Sequence, residues 1–109
     1  MAAGYTFRCS SCDLSILAWD SGDPYVINAD GSKRHVYHPD PEREHAVGID
    51  EAHLCLACGA EVMVDSRSPR TDCASCHSER IVSTMDLAGA PCPRCADGAF
   101  GEGTMSAIS

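Results

Sequence analysis

Eight cysteines stand in four Cys-x-x-Cys pairs, Cys9/Cys12, Cys55/Cys58, Cys73/Cys76 and Cys92/Cys95, and none is left over. Two sulfurs at this spacing fit one tight turn and can reach one metal ion together. Two such turns complete a tetrahedral shell of four thiolates, the coordination used by structural zinc. The four pairs therefore supply two closed four-sulfur sites. The expected metal ligands are Cys9, Cys12, Cys55, Cys58, Cys73, Cys76, Cys92 and Cys95, and the expected cofactors are two Zn(2+) ions.

The same pairs could do thiol redox chemistry. A thioredoxin-type pair, however, opens a helix after a strand in a βαβ context. Here each pair runs into a short strand or turn residues, which favours structural metal. Histidines offer a second chemistry. His35, His38, His45 and His53 all fall between the first two pairs, and a third or catalytic metal site needs three of them to converge while one position stays open. The plainer reading makes them surface or capping residues, with His38-Pro39-Asp40 ending a strand and capping the next turn. No catalytic residue and no organic cofactor site can be argued from the remaining spacing, so the chain is expected not to be an enzyme.

The elements that must carry these turns are short and mostly extended. Tyr5–Arg8 alternates and reads as a strand entering the first pair; Leu14–Trp19 reads as the strand leaving it. Asp30-Gly31 between Tyr25–Asn28 and Lys33–Tyr37 signals a hairpin, because glycine tolerates the positive φ of tight hairpin turns. Asp40 as N-cap, Pro41 at the first helical position and Gly48 as a stop predict one or two helical turns. Strands follow at Glu61–Val64 and Arg80–Thr84. Asp50-Glu51 reads as a solvated loop, and the Gly- and Ser-rich tail after Phe100 as frayed. Trp19, Tyr25 and Tyr37 are expected to supply the small core of the insert. In each knuckle the residue after the second cysteine is expected to be left-handed. Gly59 suits this, and Asp13, His77 and Ala96 hold the equivalent places.

Charge and size narrow the function. The chain of 109 residues carries 8 basic and 16 acidic side chains, a net charge of −8. Eight thiolates and two dications would bring the loaded protein to about −12. That opposes a phosphate backbone, which normally meets a basic face, and Arg67, Arg70 and Arg80 are interleaved with Asp65, Asp72 and Glu79. One Trp, three Tyr and two Phe make a modest core, and small domains short of core are usually held by disulfides or metals. No stretch approaches the roughly 20 apolar residues of a membrane span, and the first residues form no apolar signal region. The consistent expectation is a reduced, cytoplasmic, metal-bound protein without membrane contact.

The segment Leu54-Cys55-Leu56-Ala57-Cys58-Gly59 … Pro69 … Cys73-Ala74-Ser75-Cys76-His77-Ser78 resembles the zinc-ribbon family, especially the small regulatory zinc-ribbon proteins of bacteria. His77 stands where that family usually has Gly. Cys92-Pro93-Arg94-Cys95 also resembles the second knuckle of rubredoxins. The resemblance implies ribbon hairpins around zinc and says little about function.

Four pairs can share two metals in three ways, and spacing leaves all three open. It favours a nested arrangement. Residues 1–19 and 88–109 then make an outer ribbon, 20–53 a hairpin insert and 54–87 an inner ribbon, in one compact unit. The expected fold class is a small, mostly β, metal-stabilised protein of two zinc ribbons with a β-hairpin insert. The expected function is a non-catalytic structural-zinc module that binds another protein or regulates it. The alternatives are a nucleic-acid-binding regulator, a rubredoxin-like iron electron carrier and a zinc enzyme using the insert histidines.

Overall fold

The computed structural model describes residues 3–20, 22–37, 40–95 and 97–108. These form a small, mostly β fold of two sheets. The first has the order β2-β1-β8, from β1 (Ala3–Arg8), β2 (Ser15–Trp19) and β8 (Thr104–Ile108). The second has the order β4-β3-β5-β6, from β3 (Asp23–Ile27), β4 (Lys33–His35), β5 (Gly48–Cys55) and β6 (Glu61–Asp65), with β7 (Ile81–Ser83) also paired to β5. Every pairing is antiparallel.

Alternation sets the register of the first sheet. Phe7 pairs with Ile16 and Tyr5 with Ala18, so these four side chains share one face. Phe7 and Ala18 are buried there with Phe100, Leu87 and Leu54. Leu54 belongs to β5, so this cluster joins the two sheets. A second, smaller cluster is built from Cys55, Cys73 and Val62. The Cα frame is only 14 Å across its thinnest direction, little more than the roughly 10 Å between two stacked sheets. There is not enough depth for a larger apolar centre.

The hairpin turn lies where the sequence places it. Gly31 has φ 88°, and Asp30 accepts from the Ser32 N–H and hydroxyl at 2.9 and 2.6 Å. The helical signal becomes a 3₁₀ turn, Pro41–His45, with the Asp40 carboxylate accepting from the Glu42 N–H at 2.9 Å.

Four local expectations give way. Gly48 does not stop a helix; it begins β5, where a methyl group would meet Tyr25 Cζ at 2.6 Å. Asp50 is not in a solvated loop but sits in that strand, 7% exposed. The tail is not frayed: Thr104–Ile108 adds an edge strand to β1, and Thr6 Oγ1 and Ser106 Oγ lie 2.9 Å apart. Of the three aromatic residues assigned to the insert core, only Tyr25 is fully buried. Tyr37 is exposed, and Trp19 lies half-buried in β2.

Candidate metal centres

Each knuckle is a tight turn, and the first of each pair of knuckles closes on the end of a strand. Cys9 directly follows β1 and Cys55 ends β5, and the backbone N–H of each reaches across its own knuckle, to Leu14 O at 2.8 Å and Ala60 O at 2.9 Å. Cys73 and Cys92 repeat the pattern with Ser78 O and Gly98 O at 2.9 and 3.0 Å. The tight return calls for left-handed backbone after the second cysteine. Asp13 at φ 65°, Gly59 at φ 80° and His77 at φ 62° supply it. Ala96, the fourth such position, lies outside the described residues. His77 is exposed and directs Nδ1 toward Asp72 Oδ2 at 3.5 Å, away from the sulfurs' chemistry.

The sulfurs gather in two groups of four, and the grouping is nested. Cys9, Cys12, Cys92 and Cys95 form one; Cys55, Cys58, Cys73 and Cys76 form the other. Within each, all four sulfurs lie within 4.8 Å of one another. The closest approaches are 3.7 Å for Cys9–Cys95, 3.6 Å for Cys12–Cys92, 3.6 Å for Cys55–Cys76 and 3.6 Å for Cys58–Cys73. Corners of a tetrahedron with 2.3 Å metal–sulfur bonds stand about 3.8 Å apart. The spacing therefore fits one tetrahedral ion per group. All eight thiols are free.

Backbone N–H groups point at one sulfur in three of the four turns. Ser11, Ser75 and Arg94 donate at 3.4 Å to Cys9, Cys73 and Cys92. The N–H groups of Cys76 and Ser75 hold the Cys73 thiol down to about 6. Cys58 behaves oppositely. The Ala60 N–H draws it down, but loss of water and the neighbouring sulfurs push it up to about 12. Four like charges cannot crowd together without a cation, and a bound divalent metal removes that obstacle.

The insert histidines do not converge on a third site among the described residues. His35 Nε2 pairs with Asp50 Oδ2 at 2.8 Å, and His53 Nδ1 meets its own strand's Glu51 carbonyl at 3.1 Å. His38 lies outside the described residues. What sequence reasoning missed is a polar network in this region. Lys33 Nζ lies 3.1 Å from Asp50 Oδ1, 3.0 Å from Asp65 Oδ2 and 4.3 Å from the centre of the Tyr25 ring. The available signal was the parity of Gly48, Asp50 and Leu54, which places all three on the buried face of β5.

Comparison with protein-family models, curated proteins and solved structures finds no match to this chain. The two tetra-cysteine groups remain the feature with functional content, consistent with a zinc-ribbon-like module. No helix among the described residues is long and apolar enough to cross a membrane.

Proposed function

We propose that this chain is a non-catalytic, structural-zinc module that presents a rigid, acidic β surface to another protein. The observation that carries the reading is the completeness of both sulfur groups. Each offers four thiols within 4.8 Å, which fills a tetrahedral ion and leaves no position for substrate, whereas catalytic zinc keeps one open. The engagement of His35 with Asp50 and of His53 with Glu51 argues against the zinc-enzyme alternative. The net charge of −8 opposes nucleic acid and suits a partner with a basic face. Apolar side chains exposed on the strands, Leu17, Met63, Met105 and Ile108, offer such a partner contacts between the charges.

Metal analysis tests the first half. Two zinc ions per chain in sulfur-only coordination support it; a red iron protein supports the electron carrier, and a third, nitrogen-bound ion supports an enzyme. Affinity capture from the native host tests the second half, using loaded and metal-stripped chains side by side. A partner held only by the loaded protein supports a folded docking surface. Equal capture by the stripped chain rejects it. Binding to random duplex and single-stranded oligonucleotides is expected to be weak, with Kd above about 10⁻⁴ M at physiological salt. Micromolar, salt-sensitive binding would replace the protein-partner reading with a nucleic-acid one.

A further inference from the structure

The two sulfur groups have the same ligands but different surroundings. In the outer group Cys9 and Cys92 are buried, and Cys12 and Cys95 are half-buried. In the inner group Cys55 and Cys73 are buried, but Cys58 and Cys76 are exposed. An incoming ligand can therefore reach the inner group from the side on which these two sulfurs lie.

The packing around the groups differs in the same sense. The outer knuckles are tied directly to each other. Ser10 N–H donates to Ala99 O at 3.0 Å, Ala99 N–H donates to Ser10 Oγ at 3.3 Å, and Cys9 bridges to Phe100. Gly98 lies so close that a methyl there would meet Cys9 Sγ at 2.6 Å. Phe7 and Phe100 of the main core flank this contact. The inner group's second knuckle lies in residues 69–80, outside the strands, as the outer group's second knuckle also does. It is tied to the first by the Leu56 N–H to Arg80 O bond at 2.8 Å and by the β5–β7 pairing that follows. Its core is the small Cys55, Cys73 and Val62 cluster. Segments with few buried apolar contacts open locally at lower free energy than core strands do.

We infer that the inner group, Cys55, Cys58, Cys73 and Cys76, is a metal-exchange site that trades its ion with thiolate donors in solution, while the outer group keeps its ion as a fixed staple. This rests on the reading above that both groups bind metal. The exchange is a ligand substitution with no redox step. A donor thiolate forms one metal–sulfur bond on the open side as the bond to Cys58 or Cys76 breaks, and the released cysteine thiolate takes a proton from water. Repeating the substitution at the remaining three sulfurs transfers the ion. The buried Cys55 and Cys73 leave last.

The test uses the intact, zinc-reconstituted protein. Bound zinc is first counted; then 4-(2-pyridylazo)resorcinol, with and without glutathione as the thiolate donor, is added and release followed by absorbance. One equivalent is expected to leave at least about tenfold faster than the other, as local opening at one site allows, and glutathione should accelerate that phase. Alkylation with N-ethylmaleimide at half release, mapped by mass spectrometry, should label Cys55, Cys58, Cys73 and Cys76 and spare the outer four. Two equivalents leaving in one phase, a label spread over all eight cysteines, labelling of the outer group first, or a fast phase indifferent to glutathione would each overturn the exchange. Fewer than two sulfur-bound ions after reconstitution would instead sink the two-site reading itself, and the exchange with it.

Discussion

Tyr25 donates its phenolic hydrogen to Asp65 Oδ1 across 2.6 Å, joining strand β3 of the insert to strand β6, which leaves the first inner knuckle. The two strands are not neighbours; β5 lies between them. The bond is possible because Gly48 on β5 has no side chain, which lets the Tyr25 ring cross above it. Lys33 then lies against the same carboxylate at 3.0 Å. Insert and inner ribbon are thus held by side chains across the sheet as well as by the ladder along it.

This bond gives a pH dependence. The Tyr25 hydrogen bond, helped by the Arg67 N–H and by Lys33, lowers the Asp65 carboxyl from 3.8 to about 2. A depressed carboxyl adds stability above its unfolded value, and that contribution is lost as pH falls through the folded value. Asp65 should therefore stabilise the fold above pH 3.8 and cease to do so near pH 2. Tyr25→Phe should move the Asp65 titration upward, read from carboxyl carbon shifts by NMR. An Asp65 midpoint unmoved in the variant would show that the phenol is not the main cause. The same bond raises the Tyr25 phenol above its ordinary value of 10.0. Its contribution should be present below pH 10 and disappear as pH rises through the folded value.

The knuckles were the legible part of this chain because their constraint is local. A Cys-x-x-Cys turn fixes its own geometry, and the left-handed Asp13, Gly59 and His77 follow from it. The sequence spacing also favoured the nested pairing without deciding it. Asp50 and the tail depart from what their local sequence suggests for a common reason: their structure comes from distant partners. Asp50 is polar, yet it is buried because Lys33 and His35 reach it from β4. Thr104–Ile108 follows Gly101 and Gly103 and carries no strong alternation, but the outer sulfur group brings the C-terminal region to β1, whose free edge accepts it. Neither partner can be read from the segment itself.

Removing metal should unfold the protein. The core clusters are small and the frame is 14 Å thin. One structural zinc can supply about 10–16 kcal/mol of apparent folding free energy at neutral pH, against a net stability of about 5–15 kcal/mol for a typical domain. Complete chelation is expected to abolish both the strand signal in circular dichroism and the cooperative thermal transition. A transition unchanged after verified metal removal would mean that the apolar clusters suffice alone.

Gly98→Ala should damage the outer group selectively. The added methyl would stand 2.6 Å from Cys9 Sγ and 2.9 Å from Ser11 Oγ, and both atoms belong to a knuckle with little freedom to shift. The expected cost is about 1–3 kcal/mol, as for overpacking elsewhere, together with weaker binding of one metal equivalent. Gly101→Ala is the control, since its nearest neighbour would be Arg8 O at 3.9 Å. Equal melting temperatures and equal metal content in the two variants would show that the knuckle yields to the methyl.

The outer group ties together residues 80 or more positions apart, Cys9 with Cys95 and Cys12 with Cys92 being 86 and 80 apart. Cys9 and Cys12 follow directly on β1, but their sulfur partners Cys92 and Cys95 come from the opposite end of the chain. β1 is also the central strand of its sheet, between β2 and β8. In the metal-loaded protein, then, the outer ion and the β1–β8 ladder hold the N-terminal hairpin together. Cys92→Ser weakens the first of these and should loosen residues 3–19, while residues 61–83 of the inner ribbon stay protected. Cys73→Ser should do the reverse, because its sulfur partners are Cys55, Cys58 and Cys76. Hydrogen exchange followed by mass spectrometry in both variants separates the cases, with each variant expected to bind one metal ion fewer. Greater deprotection of residues 3–19 in Cys73→Ser than in Cys92→Ser would reject the nested grouping in solution. Uniform deprotection in both would mean that the two groups fold as one cooperative unit, coupled through Leu54 where β5 packs against Phe7 and Phe100.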